Sequence, residues 1–490
     1  MIALTAAEVA AATGGTLHAV APATVVHGSV VTDSRQVETG GLFVALPGEH
    51  VDGHDFAATA VAAGAAAVLA ARPLADDEGR ELPTVVVPDV EVALGELARE
   101  VLARLRLAAL EPGGSGLRVI GVTGSVGKTT TKDLLAELCG AAGPTIAPVR
   151  SFNNEIGLPL TVLRADESTR FLVLEMGASG PGHLDYLTRI APPDVAVVLV
   201  VGQAHLGGFG GIEAVARAKS EIVQGLVPDG VAVLNADDHR VLAMSALAPG
   251  EVVTFGASTG AGVRATDVVV DRAGRARFTL VVADGTAQRQ EARVELRLVG
   301  EHHVHNALAA AAAALAVGLT LEDVAASLTA ADALSPHRMH VVDRADGVTV
   351  IDDSYNANPD SMRAALKALA VVAGRDRRSV AVLGEMLELG EDSRAAHDAI
   401  GELVVRLNIG LTVVVGEGAR PIGDGANREG SWGDEVALVD DVDAAERFLE
   451  TELRPGDVVL VKSSFGAGLW QLGDRLTDPT THPAATAVTS

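Results

Sequence analysis

The residues best equipped for chemistry are concentrated in Arg118-Val-Ile-Gly-Val-Thr-Gly-Ser-Val-Gly-Lys-Thr-Thr-Thr-Lys-Asp133. An apolar β-branched run, Val119, Ile120 and Val122, gives way to glycines, a Lys-Thr pair and a helix-forming segment. The expected order is therefore strand, phosphate loop, helix. Glycines let the N–H groups of the turn and first helical residues close on an anion, and Lys128 adds a mobile positive charge. Thr129 is placed to hold a magnesium ion through its hydroxyl. The strict pattern is not met, because Val122 stands at the first glycine position and leaves Gly124-x-x-Gly127-Lys128-Thr129. A glycine-rich turn that binds nothing is the plainer reading; the flanking strand and helix favour a nucleoside triphosphate.

Further candidates follow the ends of other apolar runs. Phe171 to Leu174 leads into Glu175, Val195 to Val201 into Gly202-Gln-Ala-His205, and Val231 to Leu234 into Asn235. These strands alternate with helices, which predicts a parallel sheet with right-handed crossovers. The phosphate loop, Glu175, His205 and Asn235 then share the carboxyl edge of that sheet, where open α/β folds bind ligands. A hard magnesium ion takes oxygen ligands, which makes Glu175 a sensible companion to Thr129. His205 taken alone fits a hydrogen-bonded strand-end histidine as well as a ligand. The polar loop Ser151-Phe-Asn-Asn-Glu-Ile-Gly157 carries Asn153 and Asn154, an odd pair for a purely structural turn.

The elements that must position these groups extend over 490 residues, about three domains at a typical size of roughly 150. Apolar residues make up 48% but aromatics only 3%, so packing must come from close-set Ala, Val and Leu. The single cysteine, Cys139, excludes an internal disulfide framework. A net charge of −26 with no stripe of Lys and Arg argues against nucleic acid as a partner. The amino terminus lacks the pattern of a secretory signal, and the alanine-rich run Ala307 to Leu319 is too short to span a bilayer, so a cytoplasmic protein without membrane insertion is expected. Leu110-Glu-Pro-Gly-Gly-Ser-Gly116 reads as a linker. Alternating, charged strands between about 251 and 299 predict an antiparallel addition to the parallel sheet. Val348 to Ile351 then runs into Asp352-Asp-Ser-Tyr-Asn-Ala-Asn-Pro-Asp360, where Asn358 should cap a helix begun by Pro359.

With these residues assembled, the chain resembles the ATP-dependent Mur ligases of peptidoglycan synthesis over nearly its whole length. Gly124-Ser-Val-Gly-Lys-Thr-Thr130 is similar to that family's phosphate loop. The segments 151–157, 352–359 and Gly384-Glu-Met-Leu-Glu-Leu-Gly390 resemble the branch that joins D-alanyl-D-alanine to UDP-N-acetylmuramoyl-tripeptide. The resemblance implies an α/β fold of three domains: a small UDP-substrate domain over 1–110, a central P-loop ATPase-like sheet over 111–333 and a Rossmann-like domain over 334–478. Residues 479–490 are expected to form a disordered tail.

The resemblance also implies roles. ATP and magnesium are the expected cofactors, with an acyl phosphate as intermediate and a monomer as the expected state. Thr123, Gly124, Ser125, Val126, Gly127, Lys128, Thr129 and Thr130 would hold the ATP phosphates. Asn306 resembles the adenine-contacting asparagine, and Arg338 and Asp353 resemble residues that reach the phosphates and ribose. Thr129 and Glu175 would bind one magnesium and His205 a second, joined by Lys219 as a carbamate. Lys128, Glu175, His205 and Lys219 are thus the catalytic set. Ser34, Arg35, His54, Asn153, Asn154, Asn356 and Asn358 would contact substrate. Asp33-Ser34-Arg35 reads equally as a solvated turn. One departure concerns position 465, where Phe465 replaces the branch's usual arginine, with Trp470 farther along. Two other readings stay open: a related ligase with a different amine acceptor, and a non-catalytic nucleotide-binding regulator.

Overall fold

The computed structural model describes residues 1–48, 51–149, 151–202, 210–283, 289–332, 334–430 and 435–481. His205 and the last nine residues of the expected tail lie outside them. Among the described residues no helix is long and apolar enough to cross a membrane.

Short β-branched runs separated by turn residues build a five-stranded sheet near the amino terminus, in the order Thr16–His18, Thr84–Val86, Ala67–Ala70, Leu42–Val44, Val30–Val31. All its pairs are parallel except the first. Helix Val90–Leu110 follows, started by Asp89, whose carboxylate accepts from the N–H groups of Glu91 and Val92. Leu94, Leu97, Val101 and Leu105 recur at helical spacing and are fully or almost fully buried. That apolar stripe shares one core with Leu158, Leu187 and Ile190 of the next sheet's helices, which fastens the amino-terminal part to the ATPase-like part.

The central sheet has nine strands, ordered Arg289–Val299, Arg275–Ala283, Val263–Val270, Val252–Gly256, Val231–Asn235, Val195–Val198, Arg118–Thr123, Phe171–Glu175, Thr145–Ile146. Parallel pairing extends farther than the alternation suggested. Val252–Gly256 pairs parallel to Val231–Asn235, and Val263–Val270 pairs parallel to it in turn. Antiparallel hairpins begin only between Val263–Val270 and Arg275–Ala283. The charged, alternating residues belong to the half-solvated hairpins, whereas Val252–Gly256 is covered by the alanine-rich helix His303–Ala316. That helix also lies along the phosphate-loop helix Lys128–Ala142. Ala307 and Ala309 to Ala314 are all fully buried, and their small side chains let the two helix backbones approach closely.

Beyond it, six strands order as His340–Asp343, Thr349–Asp352, Val458–Lys462, Ser379–Leu383, Leu411–Val415, Val436–Val439, with only the first pair antiparallel. Asn358 caps helix Pro359–Ala373 as its sequence predicts, accepting from Ser361 N–H while the Ser361 hydroxyl accepts from Asn358 N–H. Buried Asp133 on the phosphate-loop helix pairs with Lys132 and also accepts from Ser335 N–H at 3.2 Å. The connection into the third sheet is therefore pinned beside the phosphate loop.

Candidate active site

The loop after strand Arg118–Thr123 closes on itself. Gly124 and Gly127 take φ values of 158° and 86°, the second in the left-handed region that glycine enters without a Cβ penalty. Lys128 begins the helix and folds its ammonium back to donate to Gly124 O at 2.8 Å. Burial lowers its pKa, Glu175 nearby raises it, and Arg338 lowers it further. Thr123 and Gly124 lie behind the loop, whereas Ser125 to Thr130 line an open cleft of about 830 Å³.

Strand Phe171–Glu175 runs beside Arg118–Thr123 in register, with Glu175 opposite Val122, so Glu175 arrives at the loop's flank. Thr129 Oγ1 donates to Glu175 Oε2 at 3.0 Å and lies 2.9 Å from Ser151 Oγ. Asn153 Nδ2 donates to the other carboxylate oxygen at 2.8 Å. Two hydroxyls and one carboxylate, the latter steadied by the Asn153 amide, thus offer a compact all-oxygen donor set, which suits a hard divalent cation completed by phosphate oxygens and water. Among the described residues no group of three or more His, Cys, Asp and Glu is arranged to hold a metal ion. A magnesium ion here would depend on Thr129, Glu175 and oxygens of the reactants.

Lys219, on helix Ile212–Gln224, opens into the same cleft although its side chain is 4% exposed. Burial first, then the positive charge of Lys128, pushes its pKa down to about 7. An amine in that state is about half neutral near pH 7 and so available as a nucleophile.

The third sheet supplies the opposite wall. Arg338 reaches across and donates from Nη2 to Thr129 Oγ1 at 3.3 Å, its guanidinium 4.4 Å above the Tyr355 ring. Asn356 and Asn358, with Asn154 from the central part, line the same cleft. A second cavity of about 340 Å³ adjoins it through Val126, Gly127, Thr130 and Arg338. Leu199, Phe255 and Met339 give that cavity apolar walls, and Asn235, Asn306 and Asp353 give it polar ones. A cavity of this size that combines apolar walls with a few polar groups and opens onto a phosphate loop suits a nucleobase. Asp353 is already engaged there: Oδ2 accepts from buried Lys462 Nζ at 2.5 Å and Oδ1 accepts from Met339 N–H at 3.2 Å.

Most of the expected residues therefore converge on two connected cavities. Ser34, Arg35 and His54 line neither. Both His54 ring nitrogens are in use, Nδ1 against Asp52 Oδ1 at 2.5 Å and Nε2 accepting from Ala71 N–H at 3.0 Å. Arg35 projects outward and pairs with Asp33 at 2.7 Å.

Several neighbours were missed. Ser151 and Tyr355 each lie inside a quoted motif but have no distinctive type there, and Lys462 lies outside the quoted motifs. Lys462 had a signal, since a lysine ending the run Val458-Val-Leu-Val is buried with its strand. Phe465 is 51% exposed, so it is no core residue; its ring stacks on Trp470 with centroids 5.6 Å apart and meets Tyr355 at 5.5 Å.

Comparisons with known proteins agree with this arrangement. The Mur ligase family, catalytic domain matches residues 26–102, the Mur ligase middle domain 122–314, and the Mur ligase, glutamate ligase domain 337–465. The chain is 48% identical to the UDP-N-acetylmuramoyl-tripeptide--D-alanyl-D-alanine ligase of Mycobacterium tuberculosis, over 97% of this chain and 98% of that one. It is 37% identical to the ligase of that name from Escherichia coli, over 84% and 86%. A crystal structure of MurF from Acinetobacter baumannii superposes with a TM-score of 0.83 at 32% identity, covering 97% and 99%. MurF ligase from Thermotoga maritima in complex with ADP superposes at 0.74 and 30% identity, covering 91% and 96%. With a phosphate loop, three α/β sheets in this order and relatives matched almost end to end, the chain belongs to the Mur ligase family.

Proposed function

We propose that this chain catalyses the ATP-dependent joining of D-alanyl-D-alanine to UDP-N-acetylmuramoyl-tripeptide, a cytoplasmic step of peptidoglycan precursor synthesis. The observation that carries this reading is the gathering of Lys128, Thr129, Glu175, Lys219, Arg338 and Asn356 around one cleft, with a base-sized cavity at its end. The likeness to ligases of that name supports the choice of reactants.

The tripeptide's terminal carboxylate attacks the γ-phosphorus of ATP, the bond to the bridging oxygen breaks, and ADP leaves. The amine of D-alanyl-D-alanine then attacks the acyl carbon, loses a proton, and expels phosphate through a tetrahedral intermediate. Such phosphoryl transfer needs positioning and charge neutralisation more than covalent help. Lys128 turns from Gly124 O to the phosphate oxygens, and Arg338 brings a second cation from the facing wall. Glu175 and Asn153 fix the Thr129 hydroxyl. Thr129 and Glu175 would hold a magnesium ion, with His205 and a carbamylated Lys219 at a second position, and the metal would supply neutralisation of the triphosphate's charge. Asn154, Asn356 and Asn358 orient the peptide ends, and Ser34, Arg35 and His54 serve the UDP end, His54 by shaping the loop it ties. The facing third sheet excludes water from the acyl phosphate.

ADP release measured with UDP-N-acetylmuramoyl-tripeptide, with and without D-alanyl-D-alanine, tests the reading. Release should require both. Release that depends on neither would exclude the ligase, and an absence of release alongside ATP binding would favour a regulator.

A further inference from the structure

In the first turn of helix His303–Ala316 the expected adenine contact, Asn306, is paired with a histidine to which the reaction above gives no part. Asn306 and His303 lie one turn apart and are both buried, His303 to 3% exposure. Asn306 Nδ2 donates to His303 Nδ1 over 3.2 Å. A side-chain amide has one donor end and one acceptor end, so committing its NH₂ to the imidazole turns the carbonyl oxygen the other way. There Oδ1 comes up against Gly127, where an added Cβ would collide with it. Among the described residues Oδ1 has no hydrogen-bond partner, and Asn306 lines the 340 Å³ cavity beside the phosphate loop.

The orientation depends on one proton. His303 Nδ1 can accept only when the ring proton is on Nε2. With the proton on Nδ1 the amide would turn over and present NH₂ to the cavity. Burial pushes the His303 pKa well below the ordinary value, so the ring stays neutral with one lone pair, and the contact with the Asn306 NH₂ requires that lone pair on Nδ1. Neither neighbouring histidine substitutes: His305 faces Asp237 at 3.3 Å, and the His302 ring lies tilted by 40° at 4.1 Å from the His303 ring without a hydrogen bond to the amide.

The geometry points to His303 as the positioning residue that fixes the Asn306 amide and so makes the cavity select a purine bearing a 6-amino donor over one bearing a 6-oxo acceptor. This rests on reading the cavity as the nucleobase site. A 6-amino group donates to Oδ1, whereas a 6-oxo group sets oxygen against oxygen in a buried site and leaves both unsatisfied.

The test compares ATP with inosine triphosphate at saturating tripeptide and D-alanyl-D-alanine, in the unsubstituted protein, His303→Leu and His303→Gln. The ratio of kcat/KM for the two nucleotides should fall about tenfold or more in His303→Leu, while kcat with ATP and the KM for the UDP-substrate change less than about twofold. His303→Gln, whose side-chain carbonyl can accept from Asn306, should restore most of the ratio. An unchanged ratio in His303→Leu, or an equal loss with both nucleotides, would overturn the assignment. Nitrogen-15 spectra of histidine-labelled unsubstituted protein decide it without any variant: the Nε2–H tautomer is required at His303, and Nδ1–H overturns it. Failure of ADP release with either nucleotide in the unsubstituted protein would count against the ligase reading instead, and the tautomer would still decide the role of His303.

Discussion

Lys219→Ala should remove nearly all ligase activity, and the reason can be worked from burial. A side chain 4% exposed, with Lys128 as its charged neighbour, has its pKa lowered from the ordinary 10.5 to about 7. At pH 8 roughly 90% of such an amine is neutral, against on the order of 0.3% for an ordinary lysine. Only the neutral amine adds carbon dioxide, forming an N–C bond and releasing a proton. The neutral form that carbon dioxide needs is therefore roughly 300-fold more populated in the buried site than in a surface lysine at that pH. The sign for stability follows from the same shift. The folded pKa is depressed, so the unfolded chain binds the proton more tightly between about 7 and 10.5. The penalty is absent above the unfolded value, grows as pH falls through that window, and is complete below about 7. Two assays check this. Carbon-13 spectra in labelled bicarbonate should contain a carbamate signal that Lys219→Ala lacks, and short-chain carboxylates should restore part of the activity of Lys219→Ala. A variant that keeps wild-type turnover without added carboxylate would refute the reasoning.

Other consequences are smaller. Gly127→Ala places a Cβ at φ 86° against Asn306 Oδ1, which adds strain of about 1–2 kcal/mol and should raise the KM for ATP roughly tenfold while leaving that for the UDP-substrate unchanged. Asp353→Ala leaves the buried Lys462 ammonium with two neutral carbonyls, Asn356 O at 2.9 Å and residue 353's own O at 3.4 Å, and no counter-charge, and should cost about 3–5 kcal/mol in denaturant unfolding; a loss under about 1 kcal/mol would mean the pair is not desolvated. Phe465→Ala removes a half-exposed ring held by Trp470 and Tyr355 on the third-sheet side, and should raise the KM for D-alanyl-D-alanine several-fold with little change in melting temperature. Equal effects on all three substrates would remove Phe465 from acceptor recognition.

The features readable from sequence were those set by short-range rules. The phosphate loop is a local strand-turn-helix, and Glu175 follows from the rule that parallel strands present their carboxyl ends on one edge. Asn358-Pro359 declared a helix start, which the capping bonds explain. Legibility failed where distant segments meet. Nothing in Asp133 announces a bond to Ser335, and nothing in Tyr355 announces Arg338 above it, because these contacts join residues far apart in the chain. A phenylalanine is by type a core residue, yet Phe465 lies beyond the buried strand Val458–Lys462 and keeps half its surface free. His54 looked available by motif, but Asp52 and Ala71 use both its nitrogens. The start of the antiparallel region was misjudged because alternation reports solvent on one face, not strand direction.

The account stands or falls on an acyl phosphate formed in the cleft between Lys128 and Arg338. Tripeptide substrate labelled with oxygen-18 in its terminal carboxylate, turned over with ATP and D-alanyl-D-alanine, tests this directly. Mass analysis of the released phosphate should find one carboxylate-derived oxygen transferred for each amide bond formed. Unlabelled phosphate accompanying labelled product would contradict the mechanism.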